Sequence, residues 1–276
     1  EFLCRQIGRP VILFPIAFHI NRAPLAWSNP RSLAGLLNFR RKQFADDRSI
    51  SFANVALSDR ISQSPERFYL SGRQTWDDLT RLFRTIRSGR NPLFREGCQI
   101  DIFAYSIGAF LSQVALMADE KNLFADSRLF MFCGGSIFRS MQGISRSIMD
   151  RASFEHLQHY YVHLFGNEPE NRWHRDRAFE SFFRMILPDR LQKEREAFFT
   201  RIRDRIAGVA LKQDHVIPYH GVREALGVET TESVITLLDF PFSYTHENPF
   251  PLQIKDPLSL NAAFENVFSR AVAFFR

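Results

Sequence analysis

Between residues 99 and 118 the apolar pattern changes period within a few residues, and that change limits the folds open to the chain. Residues 99–104 read as a strand, with Ile100, Ile102 and Phe103 among them, while 107–118 carry the spacing of a helix. The junction is Ala104-Tyr105-Ser106-Ile107-Gly108-Ala109, with small residues two before Ser106 and two and three after it. A strand that turns at once into a helix holds the residue at the turn in a strained backbone conformation. Bulky neighbours would collide across such a turn, and Ala104, Gly108 and Ala109 avoid this.

The rest of the chain repeats the alternation. Residues 11–14, 51–57, 128–133, 206–211 and 233–238 read as further strands. The first ends at Pro15, and the third is closed by Gly134 and Gly135. Helical spacing occurs over 32–44 and 258–275, and from Thr75 onward, where Trp76, Leu79, Leu82, Phe83 and Ile86 form one stripe. Thr75 is the expected cap of that helix, with Asp77 and Asp78 in its first turn. Strands alternating with helices imply an α/β fold, a mostly parallel sheet covered on both faces. Residues 138–205 break the pattern: they show helical periodicity, no convincing strand, and Pro169 and Pro188 as punctuation. The expected division is a core of 1–137 and 206–276 with a helical cap insertion at 138–205. Of the apolar side chains of that cap, among them Phe154, Tyr160, Tyr161, Phe165 and Phe182, some are expected to pack on the core and others to line an acyl pocket.

Composition sets bounds on function. A chain of 276 residues can build one substantial core with room for an insertion. The formal charge of +6 is concentrated early, where Arg5, Arg9, Arg22, Arg31, Arg40, Arg41 and Lys42 face only Glu1 before Ala45. No helix-turn-helix, zinc-finger or RNA-binding signature accompanies the surplus, so no nucleic-acid partner is expected. No apolar run reaches the roughly 18–20 residues of a transmembrane helix. Cys4, Cys98 and Cys133 do not make a disulfide framework, and Cys98 and Cys133 sit in apolar runs that suit buried free thiols. Free thiols suit a cytoplasmic setting, although a chain that starts at Glu1 is expected to lack an upstream piece, so secretion stays open.

A serine hydroxyl needs a base within hydrogen-bond reach, and the base needs an orienting carboxylate. Asp214 follows the strand at 206–211 in the run Asp214-His215-Val216-Ile217-Pro218, and His246 lies beyond the last strand, between Ser243 and Pro249. With the turn at Ser106, these features resemble the α/β-hydrolase superfamily along nearly the whole chain. The turn and the Asp214 loop are the specific parts. The resemblance implies the order serine, acid, histidine, each just past a strand end. The other place where the family carries its acid follows the strand ending near Cys133, and no carboxylate occurs there before Asp150. It therefore implies Ser106 as nucleophile, Asp214 as acid and His246 as base, with His215, His220 and Ser136 as rivals. The resemblance also implies two leading strands, which are expected to lie upstream of Glu1.

The resemblance further implies an oxyanion hole made by the backbone N–H of Ile107 and a second donor after the strand at 11–14. Many members carry His-Gly there; this chain has Pro15-Ile16-Ala17-Phe18-His19, with Ala17 the expected donor and Ile16 or Phe18 the alternatives. Tyr105, Phe18 and Arg22 are expected at the substrate, Arg22 toward an anionic group. His156, His159 and His163 have spacings that could share a metal, but they lack the glutamate of the zinc-protease pattern, and no metal is expected. The implied reaction is cleavage of a carboxylic ester or thioester through a Ser106 acyl-enzyme, without a cofactor. An acyltransferase with the same triad and a non-catalytic binding protein on the same fold are the alternatives. The sequence does not set an oligomeric state.

Overall fold

The computed structural model describes residues 1–119, 121–167 and 173–276, so Pro169 lies outside the described residues. In chain order the elements are α1 (Phe2–Ile7), α2 (Pro30–Gln43), α3 (Val55–Gln63), α4 (Arg67–Arg87), β1 (Ile102–Tyr105), α5 (Ile107–Met117), β2 (Leu129–Phe132) and α6 (Arg151–His159). They continue with α7 (Arg177–Arg184), α8 (Gln192–Arg201), β3 (Ile206–Leu211), α9 (Tyr219–Leu226), α10 (Val228–Val234), β4 (Ile235–Leu238) and α11 (Pro257–Phe275). A π-helical turn, Tyr160–Leu164, extends α6. The protein is therefore α/β. No helix among the described residues is long and apolar enough to cross a membrane.

Two compact units divide the chain. One comprises residues 1–13, 80–141 and 175–276, the other 14–79 and 142–174, with α4 contributing to both. This differs from the expected division. The segment 138–205 is shared out: α6 and its π turn belong with 14–79, whereas α7 and α8 belong with the sheet. Phe182 of α7 packs edge-on against Phe110 of α5, at 5.8 Å between centroids, which places α7 in the sheet's own unit. Of the aromatics of 138–205, Phe154, Tyr160, Tyr161, Phe165 and Phe182 are all buried.

The sheet has four parallel strands in the order β1-β2-β3-β4. Each strand is followed in space by the next one in sequence. α5 packs on β1 and β2, α10 on β3 and β4, and α11 on β3. Strand alternation sorts the side chains accordingly: Phe130, Phe132, Val209 and Leu211 pack with Val267, Ala271 and Phe275 of α11. Because all four strands run the same way, every strand ends at one edge, and residues just past those ends are brought near one another.

Two arginines fasten this unit. Arg195 of α8 is fully buried and donates to the carbonyls of Arg184, Leu187, Pro188, Arg190, Glu224 and Ala225. Those acceptors include the last carbonyls of α7 and α9, where a positive charge meets the negative ends of both helix dipoles. Arg128 donates to Asp101 at 2.8 Å and to the carbonyls of Phe274 and Phe275, and Arg9 donates to Asp101 at 2.9 Å. This ties the start of β2 to the chain's first residues and to the end of α11.

In the other unit, Leu33, Leu37, Ile50, Val55 and Ala56 form a small core. Arg40 is buried with Asp150, donating Nε to Oδ2 at 2.7 Å and Nη2 to Oδ1 at 2.8 Å. Asp150 also caps α6 by accepting from Ser153 N–H at 3.0 Å.

Two expected strands do not form. Residues 11–14 join no ladder, and Val11, Ile12 and Leu13 are exposed. Prolines at 10 and 15 bracket the run, and neither has an N–H to donate. Residues 51–57 turn and enter α3 instead. Ser51 N–H donates to Asn54 Oδ1 at 3.0 Å, Ala53 N–H to Ser51 Oγ at 3.1 Å, and Ser58 N–H to Asn54 O at 2.8 Å. These local bonds start a helix where apolarity alone suggested a strand. Thr75 is not a cap: it lies buried inside α4, donating to Ser71 O at 2.7 Å.

Candidate functional site

Ser106 follows β1 directly and stands at φ 55° and ψ −126° before α5 begins. This conformation costs a non-glycine residue about 1–3 kcal/mol. Bonds on both sides hold it. Ser106 N–H donates to Phe132 O at 3.1 Å, which carries the β1–β2 ladder one residue further, and Ala109 N–H donates to Ser106 O at 2.9 Å. Gly134 packs against the turn so closely that a Cβ there would lie 2.5 Å from Ala109 Cβ and 2.8 Å from Ser106 O.

Ser106 Oγ lies 2.6 Å from His246 Nε2, and His246 Nδ1 lies 2.8 Å from Asp214 Oδ2. An ionised carboxylate only accepts, so Nδ1 carries the ring proton, and Nε2 is left to accept from the Ser106 hydroxyl. Asp214 and His246 are buried, each with 4% of its surface exposed, which shields their bond from water. The other oxygen of Asp214 accepts from Val216 N–H at 2.9 Å and Ile217 N–H at 2.8 Å. The Asp214 loop thus orients its own carboxylate.

The loops after β3 and β4 are laced together. Lys212 N–H donates to Leu238 O at 2.8 Å. The Tyr244 hydroxyl accepts from Gln213 N–H at 3.1 Å and donates to Asp239 at 2.9 Å. Tyr105 holds the histidine from the β1 side: its ring stacks on the His246 ring at 5.6 Å and 13°, and its hydroxyl donates to the His246 carbonyl. Burial, with Cys133, Asp214 and Glu247 nearby, pushes the Tyr105 phenol well above its ordinary range, so it stays a neutral donor. Tyr105 was expected at the substrate. The structure shows its hydroxyl engaged with the base loop.

The other expected residues fall as follows. Ile107 is the first residue of α5, so its N–H has no intrahelical acceptor, and the positive end of the helix lies at Ser106. Ala17, Phe18 and Arg22 belong to the other compact unit. Ala17 N–H is spent there on Thr75 Oγ1 at 2.9 Å. Arg22 pairs with Asp78 and donates to Pro15 O at 3.0 Å. Phe18 is half exposed, at φ 67°, and stacks on Trp27 at 6.3 Å. His215 and His220 are exposed, and Ser136 is buried with its hydroxyl on Ile137 O at 2.9 Å. His156, His159 and His163 are exposed, and among the described residues no group of three or more His, Cys, Asp or Glu could hold a metal. All three cysteines are free; Cys133 is buried and Cys98 only partly so. Sequence reasoning missed the lacing by Tyr244 and the close packing of Gly134. The glycine pair was visible, but only as a strand end; nothing local marked Tyr244.

The protein is thus of the α/β class, with a serine, a histidine and an aspartate hydrogen-bonded in series at the carboxyl ends of parallel strands. By sequence it belongs to DUF6051, a family of unknown function whose profile matches residues 1–276. No curated protein and no solved structure matches the chain.

Proposed function

We propose that the protein is a serine hydrolase of the α/β-hydrolase type that cleaves a carboxylic ester or thioester. One observation carries the reading: the unbroken series Ser106 Oγ to His246 Nε2 at 2.6 Å and His246 Nδ1 to Asp214 Oδ2 at 2.8 Å. In this reading Ser106 attacks the acyl carbon as His246 takes its proton. Asp214 holds the tautomer and stabilises the imidazolium. Ile107 N–H and the start of α5 face the developing oxyanion. His246 returns the proton to the leaving group, then activates water to release the acid. Turnover of p-nitrophenyl esters of graded chain length tests this. Ser106→Ala and His246→Ala should each lower kcat by about three orders of magnitude or more, and Asp214→Asn somewhat less. Full activity in a folded variant removes that residue from the mechanism.

A specific observation favours a second reading, a binding protein without turnover: Ala17 N–H, the expected second oxyanion donor, already has an acceptor in Thr75. Ester turnover that depends on Ser106 excludes it. Product analysis with added alcohols or thiols separates hydrolysis from acyl transfer.

A further inference from the structure

We propose that Gln113 is a positioning residue for Ser106: its side-chain amide ties the loop after β2 to α5 and so holds the strained turn at the serine. The proposal rests on the reading of Ser106, His246 and Asp214 as a triad. Gln113 lies in the buried middle of α5 and has none of its surface exposed. Its Nε2 donates to Gly135 O at 3.1 Å. A carbonyl only accepts, so the nitrogen of the amide is the atom that faces it. Gln113 stands four residues after Ala109, on the same face of the helix. The loop meets that face twice, at Ala109 through Gly134 and at Gln113 through Gly135.

Backbone strain lasts only where the surroundings over-determine it. At Ser106 they do so through the loop: Phe132 O accepts from Ser106 N–H, and Gly134 leaves no room for a Cβ beside Ser106 O. The loop itself departs from strand geometry, with Cys133 at φ 48° and Gly135 at φ 97°. Its ends are fixed by Cys133 N–H on Val209 O at 3.0 Å and by Ile137 N–H on Gly221 O at 2.9 Å. Between those two points Gln113 supplies a bond from the helix that begins at the nucleophile. Packing alone does not call for an amide there. The buried stretch that follows, Val114 to Met117, is apolar, and burying an amide costs free energy that its hydrogen bonds must return. Gln113 Oε1 has no hydrogen-bond partner among the described residues, so the amide acts through Nε2.

The test compares the unaltered protein with Gln113→Met, which fills similar space without a donor, and with Gln113→Asn, whose amide is a methylene short of Gly135. The asparagine variant stands in if the methionine variant does not fold. The first readout is amide hydrogen exchange at Ser106 and Ala109, whose N–H groups bond to Phe132 O and Ser106 O, against Lys212, whose N–H bonds to Leu238 O. The second is turnover of a p-nitrophenyl ester. In both variants Ser106 and Ala109 should exchange about tenfold faster, while Lys212 keeps its rate within about twofold. The kcat should fall about tenfold with KM within about twofold, because the placement of the serine matters at the transition state and not for binding. Unchanged exchange at Ser106 and Ala109, a rise that Lys212 shares, or an unchanged kcat overturns the proposal. If the unaltered protein turns over no ester, the hydrolase reading fails, and the exchange rates alone still decide the role of Gln113.

Discussion

Tyr105 precedes Ser106 in the chain, yet its side chain serves the histidine. The flat ring restrains the imidazole plane, and the hydroxyl restrains the backbone that carries it. These two contributions can be separated. Tyr105→Phe keeps the stack and loses the hydroxyl's bond, and should slow fluorophosphonate labelling about fivefold. Tyr105→Ala loses both and should slow it about fiftyfold. Equal rates in all three proteins would show that Tyr105 does not position His246. By contrast, His215→Ala and His220→Ala remove exposed rings and should leave the rate unchanged.

At the scale of elements, the turn at Ser106 depends on how closely the loop after β2 approaches it. Gly134→Ala would force Cβ against Ala109 and the Ser106 carbonyl. We expect a loss of about 1–3 kcal/mol in urea unfolding, as overpacking produces, with slower labelling from the displaced serine. Arg195 shows the converse dependence. Removing its side chain strands buried carbonyls at the ends of α7 and α9, so Arg195→Ala should cost about 3–5 kcal/mol. Retained stability would mean that water replaces the guanidinium.

These elements also show what the sequence could reveal. The turn at Ser106 was legible because strand and helix periods meet at one residue with small neighbours. β2, β3 and α11 were legible because their apolar residues are buried on predictable faces; β4 was legible from its apolar run, although only Ile235 in it is buried. Residues 11–14 looked the same by composition, but pairing needs N–H groups and a partner edge, which apolarity does not report. Residues 51–57 failed for another reason: Ser51 and Asn54 bond locally, and that competition outweighs a short apolar run. His246 could be placed by its position after the last strand. Tyr244 could not, because its role depends on a distant loop.

At the scale of the molecule, the unit that holds the sheet is closed by Asp101, on which Arg9 and Arg128 converge. Burial raises the affinity of this carboxyl for its proton, but hydrogen bonds from Arg128 and Arg9 outweigh it and hold Asp101 below the ordinary carboxylate range. A carboxyl depressed in the folded state stabilises fully above its unfolded value, near 4, and loses that contribution as pH falls through its folded value. Asp101→Asn should therefore be less stable than the unaltered protein at pH 7. The gap should narrow as pH falls below about 4. A gap independent of pH would place the effect in packing and not in charge.

The central claim is that Ser106 is activated by His246 and Asp214, and covalent capture tests it most directly. The protein is treated with a fluorophosphonate, digested, and the modified peptide sequenced by mass spectrometry, beside Ser106→Ala treated in the same way. The account predicts one adduct on Ser106 and none in the variant. An adduct on Ser136 or elsewhere, labelling that survives Ser106→Ala, or no labelling of the folded protein would contradict it.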